Sequence, residues 1–500
     1  MKALNELKEI LGEVTDLQRV AELLSWDQET YMPAGGVESR ASQLATVSQI
    51  AHQRFTSAEV GRLLERAESE TAGLSADSDE ASLIRVARRD YDYEVKLPSE
   101  LVAEMARAQA EAQPVWAEAR QQSSWKLFAH RMQITVDLAR QVAEAYGYQD
   151  KPMDALIARS EPELSAAQVE GLFNQMKATI VPLVREIRER GKPIDGSLLD
   201  RSYDQQQQLD FSLRVVQKLG YDLERGRQDL TRHPFCVGFG PGDVRITTRV
   251  RDSLNDSCLF SSIHESGHAM YEQGVDPELD RTPLCQGASS GVHESQSRLW
   301  ENCIGRSKPF WQHFYPQLRA AFPEALGKVE MEQFYTAVNS VRPSYIRVEA
   351  DEVTYNLHIM LRTELENQLL EGSLAVEDVP EAWNTKLEEY LGLAAPPDAD
   401  GCLQDIHWTF SILGSFVGYS LGNLIAAQIM ERVRRELPEL DQQVAEGQFA
   451  PLLQWLQTNL YRHGRKFTPP ELVKRITGGE ISAEPWRRYI EEKYRPLYGL

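Results

Sequence analysis

The residues with the clearest chemical potential are His264-Glu265-Ser266-Gly267-His268. On a helix, positions i and i+4 differ by about 40° in azimuth and about 6 Å in rise, so both imidazoles reach one ion. Neutral imidazole is a favoured ligand of Zn²⁺. Zinc brings the pKa of its bound water to about 7, and Glu265 is placed to take the proton as that water attacks a carbonyl. The competing reading is a pair of histidines on an ordinary surface helix. Ile263, Ala269, Met270 and Tyr271 supply a helical apolar pattern around the motif, with Ser261 and Ser262 as expected caps.

A catalytic zinc needs a third protein ligand and an open fourth position. The HExxHxxGxxH extension is absent, because Tyr271 and Gly274 stand where it needs glycine and histidine. A second helical pattern opens at Gly291-Val292-His293-Glu294, and a carboxylate from it would complete a His₂Glu set. Glu294 is preferred, but spacing alone leaves Glu272 and Glu301 in competition with it.

The elements that must position these groups are mostly helices. Apolar residues recur at three- and four-residue spacing over 2–25, 37–54, 57–70, 99–121, 124–146, 166–190 and 205–219. Helical patterning resumes from about 260 to the end. Between them, Gly238, Gly240 and Gly242 precede the alternating run Val244, Ile246, Thr248, which predicts a short strand after a glycine turn. This strand either grips a substrate backbone or is a plain edge strand. Ala394-Ala395-Pro396-Pro397-Asp398 marks a loop. The chain is expected to be a single peptidase domain over 1–500, with a mostly helical part at 1–225 and the zinc- and substrate-binding part at 226–500.

Composition narrows the function classes. The 500 residues carry 54 Lys+Arg against 75 Asp+Glu, a net charge of −21, which repels a phosphate backbone and argues against nucleic acid as partner. Trp408 to Met430 carries no charge and repeats glycine at 414, 418 and 422, the small-residue pattern of membrane helices. Its interspersed Thr409, Ser411, Ser415, Ser420, Asn423 and Gln428 favour a helix buried in the centre of a soluble protein, with no membrane partner. Five cysteines without a CxxC pair read as reduced thiols. The N-terminus reads as an amphipathic helix and not as a secretory signal, so a cytoplasmic location is expected.

Five short motifs occur in order around this centre: Asp243-Val244-Arg245-Ile246-Thr247, the HExxH, His293-Glu294-Ser295-Gln296, Ile346-Arg347-Val348-Glu349-Ala350-Asp351, and Gly401-Cys402-Leu403-Gln404-Asp405-Ile406-His407-Trp408. With them the chain resembles the M32 metallocarboxypeptidases, the thermostable carboxypeptidase Taq type. The triplet His233-Pro234-Phe235 and the early Ser25-Trp26-Asp27 and Met32-Pro33 also look like that family. The resemblance implies a mainly α fold, a large helical body with a deep active-site groove and a small β-sheet beside a gluzincin-type HExxH zinc site. It implies His264, His268 and Glu294 as metal ligands, Glu265 as general base and acid, and Zn²⁺ or Co²⁺ as the ion. It further implies a homodimer that releases single residues from free peptide C-termini, broad in side chain and poor at proline.

The remaining motif residues have physical roles to fill. A guanidinium fork suits a terminal carboxylate, with Arg347 first and Arg245 second. The competing reading for Arg347 is an ion pair with Asp351 one helical turn on. His233 joins the expected substrate-binding set. His407 and Tyr419 are candidates to donate hydrogen bonds to the tetrahedral oxyanion. Asp405 is a candidate to orient an imidazole. An endo-acting zinc oligopeptidase and a non-enzymatic zinc or peptide binder are the alternative readings.

Overall fold

Helical periodicity becomes helix almost segment for segment. The computed structural model describes residues 1–254, 258–410 and 413–500. The first helices are α1 (Lys2–Thr30) and α2 (Val37–Phe55), followed by Ala58–Thr71, Ser99–Gln121, Trp125–Tyr146, Ala166–Arg190 and Gln205–Leu219. Ser165 caps the helix Ala166–Arg190 through a reciprocal bond with Gln168, as the sequence predicts. Two helices, Asp79–Lys96 and Pro152–Ser160, lie in segments where no periodic pattern stood out. In the first, eleven of the eighteen residues from Asp79 to Lys96 carry charge or a phenol. This leaves only Leu83, Ile84, Val86 and Ala87 as a short apolar stripe.

The chain forms two compact units, each assembled from three segments. One comprises Met1–Val95, Gly196–Val338 and Ile429–Gly478. Within it, Leu4, Leu7, Leu11 and Val14 of α1 pack with Val60, Leu63 and Leu64 and with Leu83 and Val86, so three helices share one apolar seam. The other comprises Lys96–Asp195, Asn339–Gln428 and Gly479–Leu500. Its core joins Phe128, Met176, Leu361, Trp408 and Trp486, with the Trp125 indole donating to the Val376 carbonyl at 2.8 Å.

The first unit holds the small sheet: β1 (Gln228–Leu230), β2 (Cys236–Gly238) and β3 (Val244–Thr248), in the order β1-β3-β2. β3 runs parallel to β1 and antiparallel to β2. The predicted strand is therefore the central one and not an edge strand, because each of its sides is already paired. Gly240 turns the chain between β2 and β3 at φ +129°, a conformation that favours glycine.

Two expectations are corrected. Ser261 and Ser262 do not cap the HExxH helix, which begins earlier, at Cys258, and runs to Gln273. Gly414 is not in a helix with the other two small residues. It sits at φ +85° ahead of the helix Val417–Glu436, and Ser411 lies outside the described residues. Residues 420–430 of that helix are all buried, which accounts for their lack of charge. Among the described residues no helix is long and apolar enough to cross a membrane.

Candidate metal centre

His264 and His268 lie one turn apart on the HExxH helix, their rings 5.1 Å between centroids. Gly267, between them, faces the next helix, Ser290–Arg298. A β-carbon at Gly267 would stand 2.6 Å from the Gln296 carbonyl oxygen, so only glycine lets the two helices approach this closely. That approach delivers Glu294, whose Oε2 lies 3.6 Å from His264 Nε2 and 3.3 Å from His268 Nε2. Its other oxygen is tied back by Arg298, one turn on, at 2.7 Å.

After Arg298 the helix widens into a π-helical turn, Leu299–Ile304. This turn carries Glu301, whose Oε2 accepts a hydrogen bond from His264 Nδ1 at 2.8 Å. Arg306 holds the second Glu301 oxygen at 3.1 Å. The three competing carboxylates thus take three different places. Glu294 meets both Nε2 atoms, Glu301 meets the outer nitrogen of His264, and Glu272 pairs with His293 Nε2 at 3.0 Å. The His293 ring in turn stacks on His268, with centroids 4.4 Å apart and planes 14° from parallel. Sequence reading missed Arg298, Glu301 and His293 as supports. The available signal was helical spacing, since Arg298 and Glu301 follow Glu294 by four and seven residues.

Electrostatics follow from this packing. Glu265 is 7% exposed. Burial, reinforced by the Glu294 and Glu301 carboxylates, pushes its carboxyl up to about 7. Burial also pushes the Glu294 carboxyl up, but Arg298, His264 and His268 outweigh it and hold the group well below the usual carboxylate range. His268 falls to about 4, through burial first and then the neighbouring His293 and His264. His264 moves the other way. Burial lowers it, yet Glu294 and Glu301 together raise it above the ordinary imidazole value.

The donor set fits a divalent metal ion. Two imidazole nitrogens and one carboxylate oxygen lie within 4.8 Å of one another, and they form the one such group among the described residues. Nitrogen and oxygen donors of this kind suit zinc and its neighbours in the first transition row. Glu301 on His264 is the outer partner expected of a metal-binding imidazole.

The other sequence-selected residues fall in two places. Arg245, on β3 of the metal-bearing unit, donates to both Asp243 oxygens at 2.9 and 2.7 Å and lies over the Trp26 ring. His233 is exposed in the loop before β2, and its carbonyl accepts the Thr231 hydroxyl. Arg347, Asp405, His407 and Tyr419 cluster in the second unit. Arg347 donates Nε and Nη2 to the two Asp405 oxygens, each at 2.9 Å, and Nη1 to the Tyr355 hydroxyl at 3.1 Å. It does not pair with Asp351. The segment Arg347–Glu349 is a single 3₁₀ turn, and Asp351 instead binds the Thr354 hydroxyl at 2.7 Å, ahead of the helix Tyr355–Glu371. Asp405 thus serves guanidinium groups first, with Arg362 at 3.5 Å, while His407 Nδ1 lies 3.8 Å away. His407 packs edge-on against Phe416, and the Tyr419 ring lies 5.5 Å from Arg347 Cζ.

A helical scaffold that presents HExxH beside a glutamate from the following helix defines a metallopeptidase. The chain belongs to the carboxypeptidase Taq (M32) metallopeptidase family, whose model matches residues 6–494. It is 42% identical over 506 residues to thermostable carboxypeptidase 1 of Thermus thermophilus, covering 99% of each chain. It is 35% identical to carboxypeptidase 1 of Bacillus subtilis over 99% of this chain and 98% of that one. The crystal structure of the M32 carboxypeptidase from Deinococcus radiodurans superposes with a TM-score of 0.96 at 43% identity, covering 100% of both chains. The protein is therefore a peptide hydrolase with carboxypeptidase activity that depends on a metal ion.

Proposed function

We propose that the protein is a zinc carboxypeptidase that removes single residues from free peptide C-termini, with broad side-chain tolerance and poor action at proline. His264, His268 and Glu294 would hold the ion, and cobalt would substitute for zinc. The observation that carries this reading is the convergence of both Nε2 atoms on one Glu294 oxygen, with Glu265 buried alongside. When bound, the ion supplies Lewis acidity to the scissile carbonyl and to a water molecule.

The chain's own residues do the rest. Glu265, with a carboxyl near 7, takes a proton from water at its carboxylate oxygen and returns it to the leaving amine. Arg298 and Glu301 hold Glu294 and His264 in orientation. His407 and Tyr419 donate hydrogen bonds to the oxyanion that develops on the carbonyl. Arg347 and Arg245 receive the terminal carboxylate, and His233 contacts the bound peptide. In each arginine the guanidinium fork is held rigid by an aspartate, Asp405 or Asp243. The whole chain acts as one peptidase domain. Five free thiols suit the cytoplasm, and the family resemblance supports a homodimer.

A timed mass-spectrometric digest tests the reading, using one unstructured peptide as free acid and as C-terminal amide, each with and without chelator. A ladder losing one residue at a time from the acid alone, stopped by chelation and restored by zinc or cobalt, is expected. Internal cuts in both peptides would make the protein an oligopeptidase instead.

A further inference from the structure

We propose that a cavity in the second unit binds a free α-amino acid with an apolar side chain, the kind of molecule a carboxypeptidase releases. The cavity holds 260 Å³ and lies among the helices Pro152–Ser160, Ala166–Arg190 and Tyr355–Glu371. Sites for drug-sized ligands span about 300–1,000 Å³, so this one is restricted to a small molecule. Its floor is apolar: Met153, Ile157, Val169 and Phe173 line it and are all buried. Its rim carries the partly buried polar residues Lys177, Glu364 and Asn367.

The rim offers one partner for each charge of such a molecule. Lys177 donates to the Glu364 carboxylate and, at 3.1 Å, to the Tyr390 hydroxyl. An ammonium has three N–H groups, so one remains for a ligand carboxylate. Lys386 binds the same Glu364, and among the described residues neither lysine pairs with another carboxylate. Two lysines on one glutamate leave an excess positive charge, which an incoming carboxylate balances. Asn367 supplies the other partner. Its Nδ2 donates to Glu371 at 3.2 Å, while its Oδ1 is buried and accepts no hydrogen bond. A buried acceptor is costly to leave unpaired, and a ligand ammonium satisfies it. Glu364 and Asn367 stand three residues apart on one helix, so their side chains are neighbours. The carboxylate donor and the ammonium acceptor thus lie about one helical turn apart, which suits two charged groups joined through a single carbon. The side chain on that carbon is left for the apolar floor. The same helix carries Tyr355 and Arg362, which bind Arg347 and Asp405, so the ligand contacts the element that braces Arg347.

The test is calorimetric titration of the metal-loaded protein with L-leucine and two truncated analogues. These are 4-methylpentanoate, which lacks the ammonium, and 3-methylbutylamine, which lacks the carboxylate. L-leucine is expected to bind, and each analogue to bind at least about tenfold more weakly, as loss of one charge-assisted hydrogen bond implies. Lys177→Gln and Asn367→Ala are each expected to weaken L-leucine by about the same factor, while kcat and KM for peptide hydrolysis stay at wild-type values. Asn367 is partly exposed, so its variant carries the test if the lysine variant fails to fold. No binding of L-leucine would overturn the proposal. So would an affinity unchanged in both variants, which would place the ligand at the metal centre as ordinary product. Binding of 4-methylpentanoate as tight as that of L-leucine would also overturn it, marking a plain carboxylate site. The expected pattern in a protein that trims no peptide would sink the carboxypeptidase reading and leave the cavity site standing.

Discussion

Gly267 packs so closely on the backbone of Gln296 that a β-carbon there would stand 2.6 Å from the carbonyl oxygen and 2.7 Å from the next Cα, that of Ser297. The spacing of the two helices that carry the candidate metal ligands is set at this point. The glycine stands within the HExxH motif, one residue before His268, so the same short string carries both candidate histidines and the contact that admits Glu294.

Gly267→Ala is therefore expected to push Glu294 away from both Nε2 atoms. The obstacle is backbone and cannot rotate aside. A drop in zinc affinity of about tenfold or more, measured by competition with a chromophoric chelator, would agree with overpacking of about 1–3 kcal/mol at this contact. Wild-type affinity would show that the helices separate without moving the carboxylate.

Asp405 neutralises Arg347 and Arg362, whose side chains are 9% and 2% exposed. Asp405→Asn leaves Arg347 buried without its anion and is expected to cost about 3–5 kcal/mol of stability in urea unfolding. If Arg347 receives the substrate carboxylate, KM rises as well, while zinc affinity stays unchanged. An unaltered urea midpoint would contradict the structural part of this role.

Glu352 is a buried carboxylate whose oxygens bind Tyr489, Lys493 and Tyr494 at 2.6, 2.6 and 2.7 Å. Burial raises its pKa, but Lys493 and the two phenols outweigh burial and hold it below the ordinary value. A depressed folded-state pKa contributes stability that is present above the unfolded value of about 4.3 and lost as pH falls through the folded one. The stability gap between wild type and Glu352→Gln is thus expected to be widest near pH 7 and to narrow below about pH 4. A gap independent of pH from 7 to 3 would contradict it.

Much of this was legible beforehand, for identifiable reasons. Long amphipathic helices such as Ala166–Arg190 announce themselves by periodicity, and the two candidate histidines by i,i+4 spacing. The π-helical turn Leu299–Ile304 left no trace, since Leu-Trp-Glu-Asn-Cys-Ile reads as ordinary buried helix. Without that turn, Glu294 and Glu301 look like rivals for one role, and only the geometry shows one at Nε2 and the other at Nδ1 of the same ring. β3 was visible as a strand, but its central place depends on β1 and β2, each three residues long and too short to register as alternation. The Arg347–Asp405 pair spans 58 residues of sequence, beyond the reach of local spacing, so the nearer Asp351 offered itself instead.

Glu265→Gln, assayed for metal content and peptide hydrolysis on the same sample, tests the metal centre most directly. The neutral amide keeps the size of the side chain and removes its capacity to take a proton, while His264, His268 and Glu294 are untouched. The expected result is one zinc per chain, as in the wild type, with hydrolysis of the free-acid peptide reduced by about 10²–10⁴-fold. Full metal content with near-normal turnover would show that another group moves the proton.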